Sequence, residues 1–203
     1  MIRLYGVPAS RAFRCLWMLE ELGVAYENVP VNFVGDVRKP EFLALNPNGR
    51  IPVLDDDGCV LFESLAINLH LARKYDGGLW PKGQDDQSRA IQWSFWAMTE
   101  LEPPLMSVLL HRVLLPAEQR SAAKAAEGAQ ALPRPIAVLD GALASRETLL
   151  GGPFSVADLN VASVLSLGAR FGAADLSSAP NASAWLARCT ARPAAKRAMG
   201  KRA

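Results

Sequence analysis

The chain has 203 residues, half of them apolar, with 21% charged side chains and a formal net charge of +2. This length and balance predict a folded protein of one large or two small domains and exclude a disordered chain. No apolar stretch approaches the ~20 residues of a membrane span, and the first residues lack the apolar core of a signal peptide. The three cysteines, Cys15, Cys59 and Cys189, are too widely spaced for a disulfide framework or a metal site.

The first 75 residues carry the pattern of a mixed α/β unit. Alternating residues predict a strand at Ile2–Tyr5, and from Arg11 to Leu22 the apolar period becomes helical, so Ser10 lies at or beside the N-cap. Asp57-Gly58 is a strong hairpin signal between two short apolar runs. The other expected elements are a strand at 25–31, an irregular helix at 40–45, strands at 51–54 and 59–62, and a helix at 64–75. The order is β-α-β-α-β-β-α.

A stretch rich in glycine and proline, residues 76–83, is the best domain boundary in the sequence. We therefore expect a first domain at residues 1–76, a linker at 77–84 and an all-helical domain at 85–203. The pair Pro103-Pro104 is expected to kink or end the first long helix of that domain.

The rest of the second domain also has helical periodicity. A pattern with internal prolines covers residues 116–150, and a last helix covers roughly residues 182–191 and is expected to stop at Pro193. Ser155 and Asp158 stand at the N-cap and N3 positions of another helix, a spacing typical of a capping box. We therefore assign Asp158 a structural role.

The C-terminal end is basic and has no acidic residue after Asp175. A basic run can bind nucleic acid, but this one lacks interleaved aromatic residues and is more simply interpreted as a solvated helix end. We expect neither a nucleic-acid nor a membrane partner. The basic residues are Arg188, Arg192, Lys196, Arg197, Lys201 and Arg202.

Several segments, in this order along the chain, carry a resemblance to a known family. They are residues 4–6 and 10–14, residues 40–49, residues 51–54, residues 62–67 and residues 154–159. With these segments, the chain resembles the glutathione S-transferase family. The resemblance implies an α/β plus all-α fold, in which a thioredoxin-like βαβαββα domain precedes a C-terminal helical bundle. It also implies glutathione as a co-substrate and a homodimer.

The implied chemistry requires a thiolate, although a free thiol has a pKa near ~8.5. A hydroxyl donor at a helix N-terminus stabilises a thiolate through its O–H group and the exposed amides. Ser10 matches the serine that serves this purpose in theta- and phi-like members of the family. Tyr5 is the second choice, because other classes use a tyrosine near this point. A plain N-cap serine is the alternative that the sequence alone would favour.

Six further positions match residues that hold the tripeptide in the family: Arg38, Arg50, Ile51, Pro52, Glu63 and Ser64. The resemblance implies a cis bond before Pro52, with the Ile51 backbone pairing with the cysteinyl backbone like an added strand. Glu63 would accept from the γ-glutamyl ammonium group, and Ser64, at a helix N-terminus, suits the carboxylate. The two arginines suit the glycine carboxylate, although Val37 stands where phi-like members place a histidine.

The resemblance implies a cytoplasmic glutathione S-transferase that attacks small, hydrophobic electrophiles in detoxification, without a metal. We expect the electrophile pocket between Val7-Pro8 and the first helices of the second domain, near Glu100, Met106 and His111. His111 is not expected to act as a base. Two alternatives stay open: a glutathione-dependent peroxidase, isomerase or disulfide reductase on the same fold, and a non-catalytic binding module.

Overall fold

The computed structural model describes residues 1–75 and 77–201. They form two compact units: Met1–Pro81 together with the stretch from Ala191 onward, and Lys82–Thr190. The first unit carries a mixed sheet with helices, and the second consists of helices. This is the α/β plus all-α fold that the sequence predicts. The residue at the predicted boundary, Asp76, lies outside the described residues.

The first unit is built on a four-stranded sheet in the order β2-β1-β3-β4. The strands are β1 (Ile2–Tyr5), β2 (Tyr26–Val29), β3 (Val53–Asp56) and β4 (Cys59–Phe62). β1 is parallel to β2 and antiparallel to β3, which is antiparallel to β4. β3 begins after Pro52 rather than before it, because a proline has no amide to donate to the ladder. Asp57 and Gly58 form the predicted β3–β4 turn, with φ of 54° and 89°.

Helices make up most of the remaining chain. Numbered along the chain, they are α1 (Ala12–Leu22), α2 (Pro40–Leu43), α3 (Ser64–Lys74), α4 (Gln84–Trp96), α5 (Glu102–Leu109), α6 (Ala122–Ala131), α7 (Pro133–Ala142), α8 (Val156–Arg170), α9 (Pro180–Ala191) and α10 (Pro193–Gly200). Two π-helical turns, Ala97–Leu101 and Leu110–Leu114, flank α5.

The C-terminal stretch corrects the predicted domain organisation, because α10 belongs to the first unit rather than to the helical one. The predicted stop at Pro193 is correct for α9. The same proline also begins α10, since the first turn of a helix needs no amide donor there. α10 packs against α1 and buries its alanines 194, 195 and 198.

Ion pairs hold α10 on α1. Arg192 Nε and Nη2 donate to the two Glu21 carboxylate oxygens at 2.7 and 2.8 Å, and Arg197 Nε donates to Glu20 at 2.7 Å. Lys201 Nζ lies 3.0 Å from the same Glu20 carboxylate. The basic side chains at these positions are therefore paired with carboxylates of α1, and they also remain partly exposed to solvent. The last basic residue of the predicted run, Arg202, lies outside the described residues.

Prolines in the second unit stand at helix beginnings. Pro103 lies in the first turn of α5, directly after the π-helical turn Ala97–Leu101. The helical segment therefore continues through the pair Pro103-Pro104, and the α-helix is interrupted by the π-helical turn before it. Pro133 likewise opens α7 and divides the predicted pattern at 116–150 into α6 and α7.

The buried centre of the second unit is α8, which contacts α4 and α5. Its predicted capping box is confirmed: the Asp158 carboxylate accepts from the Ser155 amide at 3.1 Å. The other Asp158 oxygen accepts from the Leu149 amide at 2.8 Å and from the Trp185 indole at 3.0 Å. Asp158 is fully buried, and its hydrogen bonds join three segments of the unit. Within residues 1–75 and 77–201, no helix has both the length and the apolar character of a membrane span.

Candidate active site

Ser10 lies in the loop between β1 and α1, just before the helix begins. Its hydroxyl donates to the Val7 carbonyl oxygen at 2.7 Å and accepts from the Ala12 amide at 3.1 Å. Its own carbonyl oxygen accepts from the Phe13 amide at 3.1 Å. The half-buried hydroxyl therefore stands at the positive end of the α1 dipole, where a negative group is stabilised.

Tyr5, the second choice, ends β1 and pairs in register with Val53. Its half-buried ring packs against a cluster of buried side chains on that face of the sheet. The cluster consists of Val31, Val37, Phe42 and Val53. In this structure Tyr5 is a packing residue of the sheet.

The peptide bond between Ile51 and Pro52 is cis, as expected, and Pro52 is buried. Ile51 lies close to the start of α1. A Cβ added to Gly6 would lie 2.7 Å from Ala12 Cβ and 3.5 Å from Ile51 Cβ, so the β1–α1 loop passes between them. Among the described residues, none forms a hydrogen bond with the Ile51 backbone. The Ile51 amide and carbonyl groups are thus available to an extended peptide.

The turn before Ile51 is organised by Asn46, which is 2% exposed. Its side chain donates to the Arg50 carbonyl oxygen at 2.7 Å and accepts from the Asn48 amide at 3.0 Å. Its carbonyl oxygen accepts from the Gly49 amide at 2.9 Å. Gly49 has a φ of 58°, which a side chain would rarely adopt, and this explains the asparagine–proline–asparagine–glycine sequence.

Arg38 and Arg50 are both exposed around this turn. The Arg38 guanidinium lies against Gly49, since a Cβ there would be 3.2 Å from Arg38 Nη1. Val37, at the position of the missing histidine, is 2% exposed and belongs to the apolar cluster around Tyr5. A histidine ring at position 37 would therefore have to be buried, whereas the Arg38 and Arg50 side chains are exposed.

Glu63 and Ser64 stand at the beginning of α3. Glu63 is exposed and has φ 71° and ψ 107°, an uncommon conformation for a residue with a side chain. Ser64 is buried, and its hydroxyl accepts from Arg14 Nη1 at 3.2 Å. The Cys15 thiol donates to the Ser64 carbonyl oxygen at 3.5 Å. These contacts bring the beginning of α3 against the first turn of α1.

Arg14 is the residue whose contact the sequence did not predict. Its position gave a signal, because a cation in the first turn of a helix is unfavourable to the helix dipole and calls for a compensating partner. Its neighbour Cys15 is also buried, and this burial raises the pKa of the Cys15 thiol although the Arg14 charge lowers it. The Cys15 thiol therefore stays protonated near neutral pH.

The residues predicted for the electrophile pocket divide between the two units, with Val7-Pro8 in the first. Glu100 is exposed on the π-helical turn Ala97–Leu101, and Met106 is half-buried in α5. His111 Nδ1 accepts from the Ser121 amide at 3.3 Å, at the beginning of α6. His111 thus connects the π-helical turn Leu110–Leu114 to the beginning of α6.

Within the part of the chain that the structure describes, no group of three or more His, Cys, Asp or Glu side chains could hold a metal ion.

Comparison with known proteins gives matches along nearly the whole chain. Residues 1–73 match the family model for the glutathione S-transferase N-terminal domain, and residues 103–193 match the model for the C-terminal domain. Glutathione S-transferase 4 of Zea mays is 36% identical over 202 residues, covering 97% of this chain and 91% of the relative.

Two solved structures are similar in both sequence and fold. The theta class glutathione S-transferase of Xanthomonas axonopodis pv. citri, with glutathione bound, is 31% identical with a TM-score of 0.90, covering 98% of this chain and 97% of that one. A glutathione transferase of Burkholderia graminis, with two glutathione molecules bound per subunit, is 30% identical with a TM-score of 0.88, covering 100% and 89%.

Proposed function

The chain belongs to the glutathione S-transferase family, and from this premise we propose that it transfers glutathione to small, hydrophobic electrophiles. Glutathione is the co-substrate. Similar proteins are named glutathione S-transferases, and two similar structures contain bound glutathione. The observation that carries the proposal is that both serines lie by the beginning of α1: Ser10 precedes the helix, and Arg14 in its first turn donates a hydrogen bond to Ser64.

Ser10 stabilises the glutathione thiolate in this proposal. A hydroxyl has one proton to donate and two lone pairs to accept with. In the structure the Ser10 proton points to the Val7 carbonyl oxygen, while one lone pair holds the Ala12 amide. Rotation about the Cβ–Oγ bond redirects the proton to a bound thiolate. The thiolate then attacks the electrophilic carbon of the second substrate and forms the new C–S bond. With a chlorinated aromatic the C–Cl bond breaks and chloride leaves with the electron pair, and with an epoxide the C–O bond breaks and the oxygen takes a proton from water. Ser10 is unchanged at the end of the reaction.

The remaining tripeptide contacts follow the same surface of the first unit. We assign the cysteinyl backbone to the amide and carbonyl groups of Ile51, whose side chain lies beside Gly6. The buried Pro52 shapes this edge. The γ-glutamyl end goes to Glu63 and Ser64 at the beginning of α3, where the exposed helix amides favour a carboxylate. The glycine carboxylate goes to Arg38 and Arg50, which stand on either side of Gly49. In this proposal Met1–Pro81 and α10 together form the glutathione-binding domain.

We also propose that the enzyme is a cytoplasmic homodimer that acts in detoxification. In the first unit, the outermost strand β4 exposes Val60 and Phe62. In the second unit, α4 exposes Ile91 and Phe95, which are four residues apart and therefore on one helix face. Apolar side chains of this size on two surfaces are typical of protein–protein contacts. The three cysteines are free thiols, as in a reducing compartment.

A panel assay tests the proposed function. The purified protein is passed over glutathione-agarose and then incubated with glutathione and chlorinated aromatics, epoxides, peroxides or maleylated acids. We expect retention on the column and conjugation of at least one electrophile above the uncatalysed rate. Retention without turnover on any substrate would support a binding module, and turnover confined to peroxides or maleylated acids would support a peroxidase or an isomerase. Loss of retention together with a flat calorimetric titration would refute the proposal.

A further inference from the structure

Arg14 is a buried cation in the first turn of α1, with 2% of its surface exposed. Burying a guanidinium is unfavourable unless its donors are hydrogen-bonded. Here Nη1 donates to the Ser64 hydroxyl at 3.2 Å. The contact spans 50 residues of sequence and joins the beginnings of α1 and α3.

Two other contacts fix the same junction. The Asn68 side chain, one turn into α3, donates to the Arg14 carbonyl oxygen at 3.2 Å. The Cys15 thiol donates to the Ser64 carbonyl oxygen at 3.5 Å. Asn68 and Cys15 are fully buried. The guanidinium is therefore held in a defined position relative to the first turn of α3.

The direction of the Arg14–Ser64 hydrogen bond has a chemical consequence. A guanidinium can only donate, so the Ser64 oxygen must be the acceptor. Because one lone pair of that oxygen is occupied by Arg14, the Ser64 proton remains available for a different acceptor. The nearby amides at the beginning of α3 also favour a negative group. An anion at this point would meet the Ser64 proton and the α3 amides, with the Arg14 charge behind them.

We propose that Arg14 is a positioning residue for the γ-glutamyl carboxylate of glutathione, which fixes the direction of the Ser64 O–H bond and supplies a buried positive charge behind it. The inference rests on the proposed glutathione site. It assigns Arg14 no direct contact with the substrate.

A double-mutant cycle measured by calorimetry tests this role. Arg14→Met removes the charge and the donor at similar length, and Ser64→Ala removes the hydroxyl. We expect each change to raise the Kd for glutathione about 10- to 100-fold. The loss of affinity in the double variant should be smaller than the product of the two single losses, because Arg14 acts in part through the Ser64 hydroxyl. Arg14→Lys, which keeps a charge and donors, should recover part of the loss. The control Arg73→Met removes an exposed charge of α3 and should change the Kd less than threefold.

A second ligand separates positioning from general structural support. In γ-aminobutyryl-cysteinylglycine the γ-glutamyl carboxylate is replaced by hydrogen. We expect Arg14→Met to leave the Kd for this analogue within about threefold of the parent protein's. Equal weakening of both ligands, or losses that multiply in the double variant, would overturn the proposal. If Arg14→Met does not fold, Arg14→Gln must show the same selective loss. A parent protein that binds neither ligand would instead overturn the proposed function.

Discussion

Replacing Ser10 by alanine removes two interactions that the structure separates. One is the hydrogen bond that the Ser10 oxygen accepts from the Ala12 amide at 3.1 Å. The other is the hydrogen bond that the Ser10 hydroxyl donates, now to the Val7 carbonyl oxygen and, in our proposal, to the bound thiolate. The first loss affects the folding free energy through the first turn of α1, and the second affects the pKa of the bound glutathione thiol.

The two losses differ in size and in what they affect. Losing an acceptor at a helix N-terminus costs about 0.5–2 kcal/mol of folding free energy. Losing a hydrogen bond to an ionised sulfur costs the thiolate about 1.5–3 kcal/mol. Because 1.36 kcal/mol corresponds to one pKa unit, the pKa of the bound glutathione thiol should rise by about 1 to 2. We expect kcat at neutral pH to fall about 10- to 100-fold, with a much smaller change in the Kd for glutathione.

The assay follows the ultraviolet absorbance of the thiolate in the binary complex as a function of pH. Conjugation rates are measured over the same pH range. Ser121→Ala is the matched control, because Ser121 accepts from the Lys124 amide at 3.3 Å as the N-cap of α6 and is remote in sequence from the glutathione residues. It should lose a comparable amount of folding free energy and keep its turnover.

An unchanged titration of the bound thiol in Ser10→Ala, with turnover within about twofold of the parent, would refute this reasoning. Tyr5→Phe would then be the decisive variant. A drop in turnover for Tyr5→Phe alone would transfer the role to the phenol. If both variants stay active, a backbone amide at the beginning of α1 stabilises the thiolate.

Three further changes test other parts of the structure. Burial opposes ionisation of Asp56, but hydrogen bonds from a lysine, a tyrosine and a histidine outweigh it and lower its pKa. Its contribution is therefore present above the unfolded pKa near ~3.9 and is lost as the pH falls through the folded pKa. Asp56→Asn should destabilise the protein by about 1.5–3 kcal/mol at pH 7 and by much less at pH 3, measured by urea unfolding; an equal loss at both pH values would contradict this account. Glu21→Gln, which weakens the bidentate pair with Arg192, should lower Tm by several degrees, whereas Glu27→Gln, which changes an exposed pair, should lower it by less than about 2 °C. Equal shifts would mean that the α1–α10 pair adds no more to stability than the exposed pair does. Phe95→Ser should weaken the proposed dimer and leave the monomer folded, as seen by light scattering across a dilution series; an unchanged dissociation constant would exclude Phe95 from the interface.

Local chemistry made much of the first unit predictable. The Asp57-Gly58 hairpin follows from the φ values that two adjacent residues must adopt, and the cis bond before Pro52 followed from the family resemblance. The capping box of Ser155 and Asp158 depends on residues only three apart. For the hairpin and the capping box the information lies within a few neighbouring residues, whose type and spacing determine the geometry.

The features that the sequence did not predict depend on distant partners. Pro193 has the same local signature whether it only ends one helix or also begins another, and the choice depends on α1 being there to receive α10. Glu21 and Arg192 are 171 residues apart, so no local pattern connects them. Arg14 is similar, because its first-turn position indicates a need for compensation but not that Ser64 supplies it.

The return of α10 to the first unit bears on the order in which the protein is made. Met1–Pro81 is synthesised before Lys82–Thr190, and both are synthesised before α10. At about 5–20 residues per second, those intervening residues take roughly 5–22 s. During that time the α10-facing side of α1 is uncovered, and the Glu20 and Glu21 carboxylates lack their basic partners. The unit that carries Ser10 and Ser64 can therefore be completed only after the helical unit has been synthesised.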